Sequence, residues 1–175
     1  MINEEKKNFS IDICFLISSS AKKSYQKLSK TYSAIEPPTW ALLLAQSIRA
    51  VGFKPSILDA NAENLSDEDV LNRINKLNPR IVCLVVYGQN VNAGTANMRG
   101  AVDISNFLKN NKKDLPITFI GSHVQALPIE TLKKEKNIDI VFTNEGVYAL
   151  RNLLKLKDFS PVKLKDINGI AYRDN

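Results

Sequence analysis

Five short strand-like runs, each separated from the next by a stretch of helical periodicity, constrain this chain more than any other feature. They are Ile11–Ile17, Lys54–Asp59, Ile81–Tyr87, Pro116–Ile120 and Ile138–Phe142. Strands that alternate with amphipathic helices pair in parallel through right-handed crossovers, with helices covering the sheet. The third run is almost continuously apolar, as a strand covered on both faces requires. The predicted fold is a flavodoxin-like, doubly wound α/β domain: a Rossmann-like, five-stranded parallel sheet of order 2-1-3-4-5.

The intervening segments carry helix signals of their own. Trp40, Leu43, Leu44, Ile48 and Val51 follow the helical period, with Pro38 near the start and Gly52 past the end. Ser66 is a good N-cap, followed by Asp67, Glu68 and Asp69 at the positive end of the helix dipole. Val70, Leu71, Ile74 and Leu77 form the apolar face of that helix, and Asn78-Pro79 ends it. A third helix is expected over 93–110, marked by Ala101, Ile104, Phe107 and Leu108. A shorter one starts near Pro128, and a last one after Asn144 turns Val147, Leu150, Leu153 and Leu154 inward.

A length of 175 residues suits one domain, with 44% hydrophobic and 24% charged residues marking a globular composition. No apolar run approaches the ~20 residues of a membrane-spanning helix, and 1–8 lacks the apolar middle of a signal peptide. A cytoplasmic location is the expectation. The formal charge of +6 is scattered or sits in lysine pairs at 22–23, 112–113 and 133–134, without the arginine cluster or aromatic-interleaved stripe of a nucleic-acid groove. Cys14 and Cys83 each lie inside a strand, at a spacing that suits neither a zinc site nor a redox pair, and read as small buried thiols. Residues 1–10 read as a tail, 11–160 as the folded domain and 161–175 as the start of a linker. The strand-like segment at 170–172 has no partner in this scheme, which suggests a continuing chain or an excised domain.

With order 2-1-3-4-5, the sheet's switch point lies between strands 1 and 3, and ligands of open α/β sheets bind at its carboxyl edge. That edge would be lined by Ser18–Ser20, by Tyr87–Asn92, by Gly121–His123 and by Thr143–Gly146. The connection 18–36 is long and polar, a length that usually signals a functional or mobile loop. A phosphoryl-accepting receiver domain needs carboxylates after strands 1 and 3 and a lysine after strand 5; serines, Tyr87-Gly88 and Thr143-Asn144 stand there instead. Neither a glycine-rich dinucleotide turn nor a P-loop is present. What remains are neutral hydrogen-bonding groups: Ser18, Tyr87, Gln89, Asn90, Asn92, Ser122, His123, Gln125 and Asn144. Such groups suit a large, mostly neutral ligand carrying its own amides, not acid–base catalysis. Glu145, beside a helix N-terminus, reads more readily as structural than as an acid catalyst. His123 has no visible nucleophile or orienting acid, so no catalytic residue is assigned.

Several segments taken in order resemble the cobalamin (B12)-binding domain that precedes the catalytic domain of B12-dependent radical S-adenosylmethionine (radical SAM) enzymes. Glu36-Pro37-Pro38-Thr39-Trp40 is similar to that family's proline-proline start of the first helix. Ile57-Leu58-Asp59-Ala60-Asn61-Ala62-Glu63 is similar to its second strand and following loop, and Val86-Tyr87-Gly88-Gln89-Asn90-Val91-Asn92 to its loop after strand 3. Gly121-Ser122-His123, continuing to Pro128, resembles its glycine-glycine-x-histidine-x-x-x-x-proline loop, with Ser122 as a departure. Asn144-Glu145-Gly146 resembles its glycine-glutamate-glycine signature, with asparagine first, and Gly169–Arg173 the segment leading to the radical SAM domain.

The resemblance implies a cobalamin-binding domain that supports methyl transfer once joined, in cis or in trans, to a radical SAM catalytic domain. The cofactor contacts it implies are Ser18, Tyr87, Gln89, Asn90, Val91, Asn92, Gly121, Ser122, His123, Ala126, Asn144, Glu145 and Gly146, with the nucleotide tail entering between strands 1 and 3. This chain has no cysteine triad for an iron–sulfur cluster, so cluster and S-adenosylmethionine would belong to that other domain. Nor does it have the aspartate-x-histidine-x-x-glycine motif by which other cobalamin domains ligate cobalt, so no protein histidine is expected on the metal. His123 would contact a corrin amide or cap its loop. The alternative is a cofactor-free α/β docking or regulatory module of the same fold.

Overall fold

The computed structural model describes residues 8–19, 35–88 and 91–174, with the side chain of Val91 excepted. Most of the long 18–36 connection, Ser20 included, lies outside the described residues, as do Gln89 and Asn90.

The first strand, β1 (Ile11–Ile17), is followed by α1 (Thr39–Arg49), β2 (Pro55–Asp59), α2 (Asp67–Leu77), β3 (Pro79–Val85) and α3 (Val91–Asn111). Next come β4 (Ile117–Ile120), α4 (Ser122–Ala126), α5 (Pro128–Lys134), β5 (Ile140–Phe142), α6 (Val147–Lys155), α7 (Pro161–Leu164) and β6 (Ile170–Tyr172). The sheet runs β2-β1-β3-β4-β5-β6. The expected five strands pair in parallel in the expected order.

The sixth strand is a correction. The stretch 161–175 read as linker holds α7 and β6, and β6 lies antiparallel to β5 with Phe142 opposite Ile170 and Ile140 opposite Tyr172. The strand read as lacking a partner therefore has one. Its position is held by Arg173, whose guanidinium donates to the carbonyl oxygens of Leu132 and Lys136 at 2.9 and 2.8 Å and to that of Ile138.

Side-chain alternation along the strands splits the core into two layers. Cys14, Leu16, Val82, Leu84, Ile117 and Phe119 face α2, α3, α4 and α5, while Ile13, Phe15, Ile81, Cys83 and Phe142 face α1, α6 and α7. The two thiols thus sit on opposite faces of the sheet, fully buried, and burial pushes each up to about 12. They are packing groups, neither paired nor reactive.

Local signals explain the helix ends. Ser66 Oγ accepts from Asp69 N–H at 3.1 Å and Asp69 Oδ2 accepts from Ser66 N–H at 3.1 Å, a reciprocal capping box. Asn78 closes α2 in the left-handed region at φ 41°. The apolar face of α1 differs from expectation: Ala41, Leu44, Ala45 and Ile48 are buried, whereas Trp40, Leu43 and Val51 are exposed. The i, i+3, i+4, i+7 stripe through the two alanines is the one that meets the sheet. In α6 likewise Ala149 joins Leu150, Leu153 and Leu154 inside, and Val147 lies at the surface.

Candidate functional site

Parallel strands end together, so the loops after β1, β3, β4 and β5 meet along one edge. The ladder between β3 and β4 continues one step further, with Val86 N–H donating to Ile120 O at 2.7 Å. Gly121 then lies directly on Val86: at its φ of 155°, an added Cβ would run into the Val86 carbonyl oxygen. Glycine is required at 121 by the protein's own backbone, not by room for a ligand. The chain turns there into α4, a five-residue helix where a loop was expected. Its first residue, Ser122, lies against Gly94, where a Cβ would run into Ser122 Oγ, so the starts of α3 and α4 nearly touch.

A connected polar set spans this edge. The side-chain amide of Gln125, on α4, donates to Tyr87 Oη at 2.7 Å and to the Asn144 carbonyl oxygen at 2.9 Å. Asn144 Oδ1 in turn accepts from Gly146 N–H at 2.8 Å, holding the turn before α6 where Gly146 takes φ 74°. Asn97, on α3, donates to the Tyr87 carbonyl oxygen at 3.1 Å. The Tyr87 ring is stacked on Trp40, centroids 4.5 Å apart and planes 20° off parallel. Such offset stacking adds to the burial of both rings. His123 Nδ1 lies 3.2 Å from Thr95 Oγ1, joining α4 to the first turns of α3.

The electrostatics favour neutral chemistry. Burial, with smaller contributions from the negative charge of Glu145 and from Cys83, pushes the Tyr87 phenol up to about 12, while the Gln125 bond pulls the other way. Tyr87 therefore keeps its proton throughout the neutral range. Among the described residues no group of three His, Cys, Asp or Glu side chains is placed to hold a metal ion.

The expected site residues fall into three groups. Tyr87 and Asn144 are brought together through Gln125; Ser122 and His123 join α4 to α3; Ser18 is buried at the end of β1. Asn92 and Glu145 are exposed at the starts of α3 and α6, and Ala126 is exposed at the far end of α4. Gln89 and Asn90 lie outside the described residues, and Val91 is placed only as the first residue of α3. Sequence reasoning counted Trp40 only as one of the periodic apolar residues of α1 and not among the site residues. The signal was available: a tryptophan directly after Pro37-Pro38-Thr39 stands in the first turn of α1, beside the carboxyl edge.

A second concavity, about 350 Å³, lies at the opposite end of the sheet. Lys109, Asp139, Phe159, Tyr172 and Arg173 contribute to its walls. Its charged groups are engaged within the protein: Lys109 pairs with Asp139 at 2.8 Å, and Arg173 bonds three carbonyls. Position in the fold and convergence of polar groups favour the carboxyl edge over this cavity as a ligand site.

The protein family described as "B12 binding domain" matches residues 26–154. An uncharacterized methyltransferase of Pyrococcus horikoshii is 28% identical over 139 residues, covering 79% of this chain and 28% of that protein. Among solved structures, the radical S-adenosylmethionine methyltransferase TsrM of Kitasatospora setae, with cobalamin and a [4Fe-4S] cluster bound, is similar at a TM-score of 0.66 and 15% identity. That match covers 93% of this chain and 29% of TsrM. The cobalamin-dependent radical enzyme OxsB gives 0.58 at 18% identity, over 94% of this chain and 21% of OxsB. The monomethylamine corrinoid protein of Methanosarcina barkeri gives 0.51 at 15% identity, over 86% of this chain and 61% of that one. At such identities the structures share the fold. This chain spans 28% of the length of the curated relative it matches.

Proposed function

Because the chain belongs to the B12-binding domain family, we propose that it holds cobalamin across the carboxyl edge of its sheet, as the cofactor-carrying part of a radical SAM methyltransferase-type enzyme. The observation that carries this reading is the neutral, interlinked donor and acceptor set formed by Tyr87, Gln125, Asn144 and the His123–Thr95 pair. Cobalamin brings its own equatorial nitrogens and a rim of carboxamides. It needs hydrogen-bonding groups and an open sheet edge from the protein, not a protein-built metal cage, and the residues present fit that need.

Bound cobalamin would supply methyl transfer, the chemistry of the group itself. The chain's own residues bind and orient. Tyr87, buried on one side and braced by Trp40, presents a phenol that stays protonated. Ser18, Ser122, Asn92 and Asn144 stand along the same edge for the rim amides, with Gly121 and Gly146 shaping the backbone between them. His123 lies on α4 against Thr95, and in this proposal the cobalt takes no ligand from it. Partnership with a radical SAM catalytic domain, in cis or in trans, is supported by TsrM and OxsB; cluster and S-adenosylmethionine would reside there. Two free buried thiols suit a reducing, cytoplasmic setting, and no helix among the described residues is long and apolar enough to cross a membrane.

The test is direct. Purified protein mixed with hydroxocobalamin should retain a corrin spectrum through desalting at close to one equivalent, and His123→Ala should leave the type of spectrum unchanged. A nitrogen-ligated spectrum that disappears in His123→Ala would overturn the ligation assignment. Colourless protein after desalting would favour the cofactor-free module.

A further inference from the structure

We infer that Gln125 is the positioning residue of this site: its single amide group fixes the Tyr87 hydroxyl as a hydrogen-bond donor toward the ligand and ties the loop after β5 to the loop after β3. The inference deepens the cobalamin reading and rests on it for the identity of the ligand, but not for the tie.

The direction of each bond follows from the partners. A backbone carbonyl oxygen can only accept, so the Asn144 carbonyl at 2.9 Å demands the NH₂ end of the Gln125 side chain. That end carries two hydrogens. One goes to Asn144, and the other faces Tyr87 Oη at 2.7 Å. The phenol oxygen is therefore an acceptor from Gln125, and its own hydrogen is left to point elsewhere. Among the described residues the partner of that hydroxyl is the Gln125 amide. The ring is braced by the Trp40 stack, and Asn97 holds the Tyr87 backbone carbonyl at 3.1 Å.

The consequence is a choice of ligand atom. A fixed O–H donor reads an acceptor, such as a carboxamide oxygen, and rejects a ligand that offers only an N–H at that point. The same amide group joins segments far apart in sequence: Gln125 is 38 residues from Tyr87 and 19 from Asn144. The loops after β3 and β5 are thereby tied to α4 before any ligand arrives, which lowers the cost of ordering them on binding.

Three variants test this: Gln125→Met, similar in length without donors; Gln125→Asn, which keeps the amide but is one methylene short; and Tyr87→Phe. Hydrogen exchange in the ligand-free protein and hydroxocobalamin titration are measured on each. Gln125→Met and Gln125→Asn should speed exchange several-fold at both 86–88 and 143–146, leave β1 and β3 protected, and weaken uptake about tenfold. Tyr87→Phe should weaken uptake about fivefold, while 143–146 stays protected through the remaining Gln125–Asn144 bond. Unchanged exchange at 143–146 in both Gln125 variants would overturn the tie, and full uptake by Tyr87→Phe would overturn the donor assignment. If Gln125→Met fails to fold, Gln125→Asn decides. Wild-type protein that takes up no hydroxocobalamin would sink the cobalamin reading, while exchange still decides the tie.

Discussion

The two ends of the sheet offer opposite kinds of concavity. At the amino end a cavity of about 350 Å³ is lined by full charges, but Lys109 is paired with Asp139 and Arg173 is bound to three carbonyls. Those groups fasten α3, β5 and β6 to one another. At the carboxyl edge the groups are amides and hydroxyls on loops brought together by Gln125. The difference separates a cavity whose charges are spent on structural fastening from an edge where, in the proposed function, amides and hydroxyls are left for a ligand. Where charges already satisfy the protein, a ligand has little to replace; where neutral donors line an open edge, it has much to gain.

Substitutions should break the two ends in different ways. The largest effect is expected at Gly121, where alanine would drive a Cβ into the Val86 carbonyl oxygen. Overpacking against backbone costs about 3 kcal/mol, and Gly121→Ala should lose both stability in urea unfolding and hydroxocobalamin uptake. Unimpaired uptake with normal stability would show that the β3–β4 junction tolerates movement.

Next comes Asp139→Ala at the amino end. It removes the partner of Lys109 and the acceptor of the Ile117 N–H, 2.7 Å away. Leaving that amide without its acceptor costs about 1–3 kcal/mol. Uptake per folded molecule should stay at the wild-type level. Loss of uptake without loss of stability would move the site toward the amino-end cavity.

The smallest effect belongs to Ser66→Ala, remote from both ends. Loss of the cap should lower the thermal midpoint by about 3 °C. The Ser66 hydrogen bonds hold the Asp69 carboxyl below the usual aspartate range. The folded-state pKa is depressed, so this contribution is complete above the ordinary aspartate pKa and is lost as pH falls through the lowered value. Ser66→Ala should therefore flatten the acid limb of a stability–pH profile: its deficit against wild type is full near neutrality and shrinks as pH falls through the lowered Asp69 value.

How much of this was legible in the sequence varies with the range of the interactions. The five parallel strands and the Ser66 cap could be read because alternating apolar runs and a serine followed by acids are local signals. The strand β6 was seen as a segment, but its pairing with β5 spans 28 residues between Phe142 and Ile170, and no local pattern encodes it. The helix α4 has five residues after a glycine, too short to show a period. Trp40 was placed in one periodic set with Leu43, Leu44, Ile48 and Val51, while Ala41 and Ala45 supply half of the buried stripe. The carboxyl edge was located from the fold and its resemblance. The bonds that organise it, from Gln125 to Tyr87 and Asn144, follow only from the folded chain.

The claim that cobalamin occupies the carboxyl edge, and not the amino-end cavity, is tested most directly by hydrogen exchange with and without hydroxocobalamin. Exchange should slow at 86–88, 121–126 and 143–146 in the presence of the corrin, with 112–117, 138–140 and 170–173 unchanged. Protection confined to the amino-end segments, or no protection anywhere at saturating hydroxocobalamin, would contradict it.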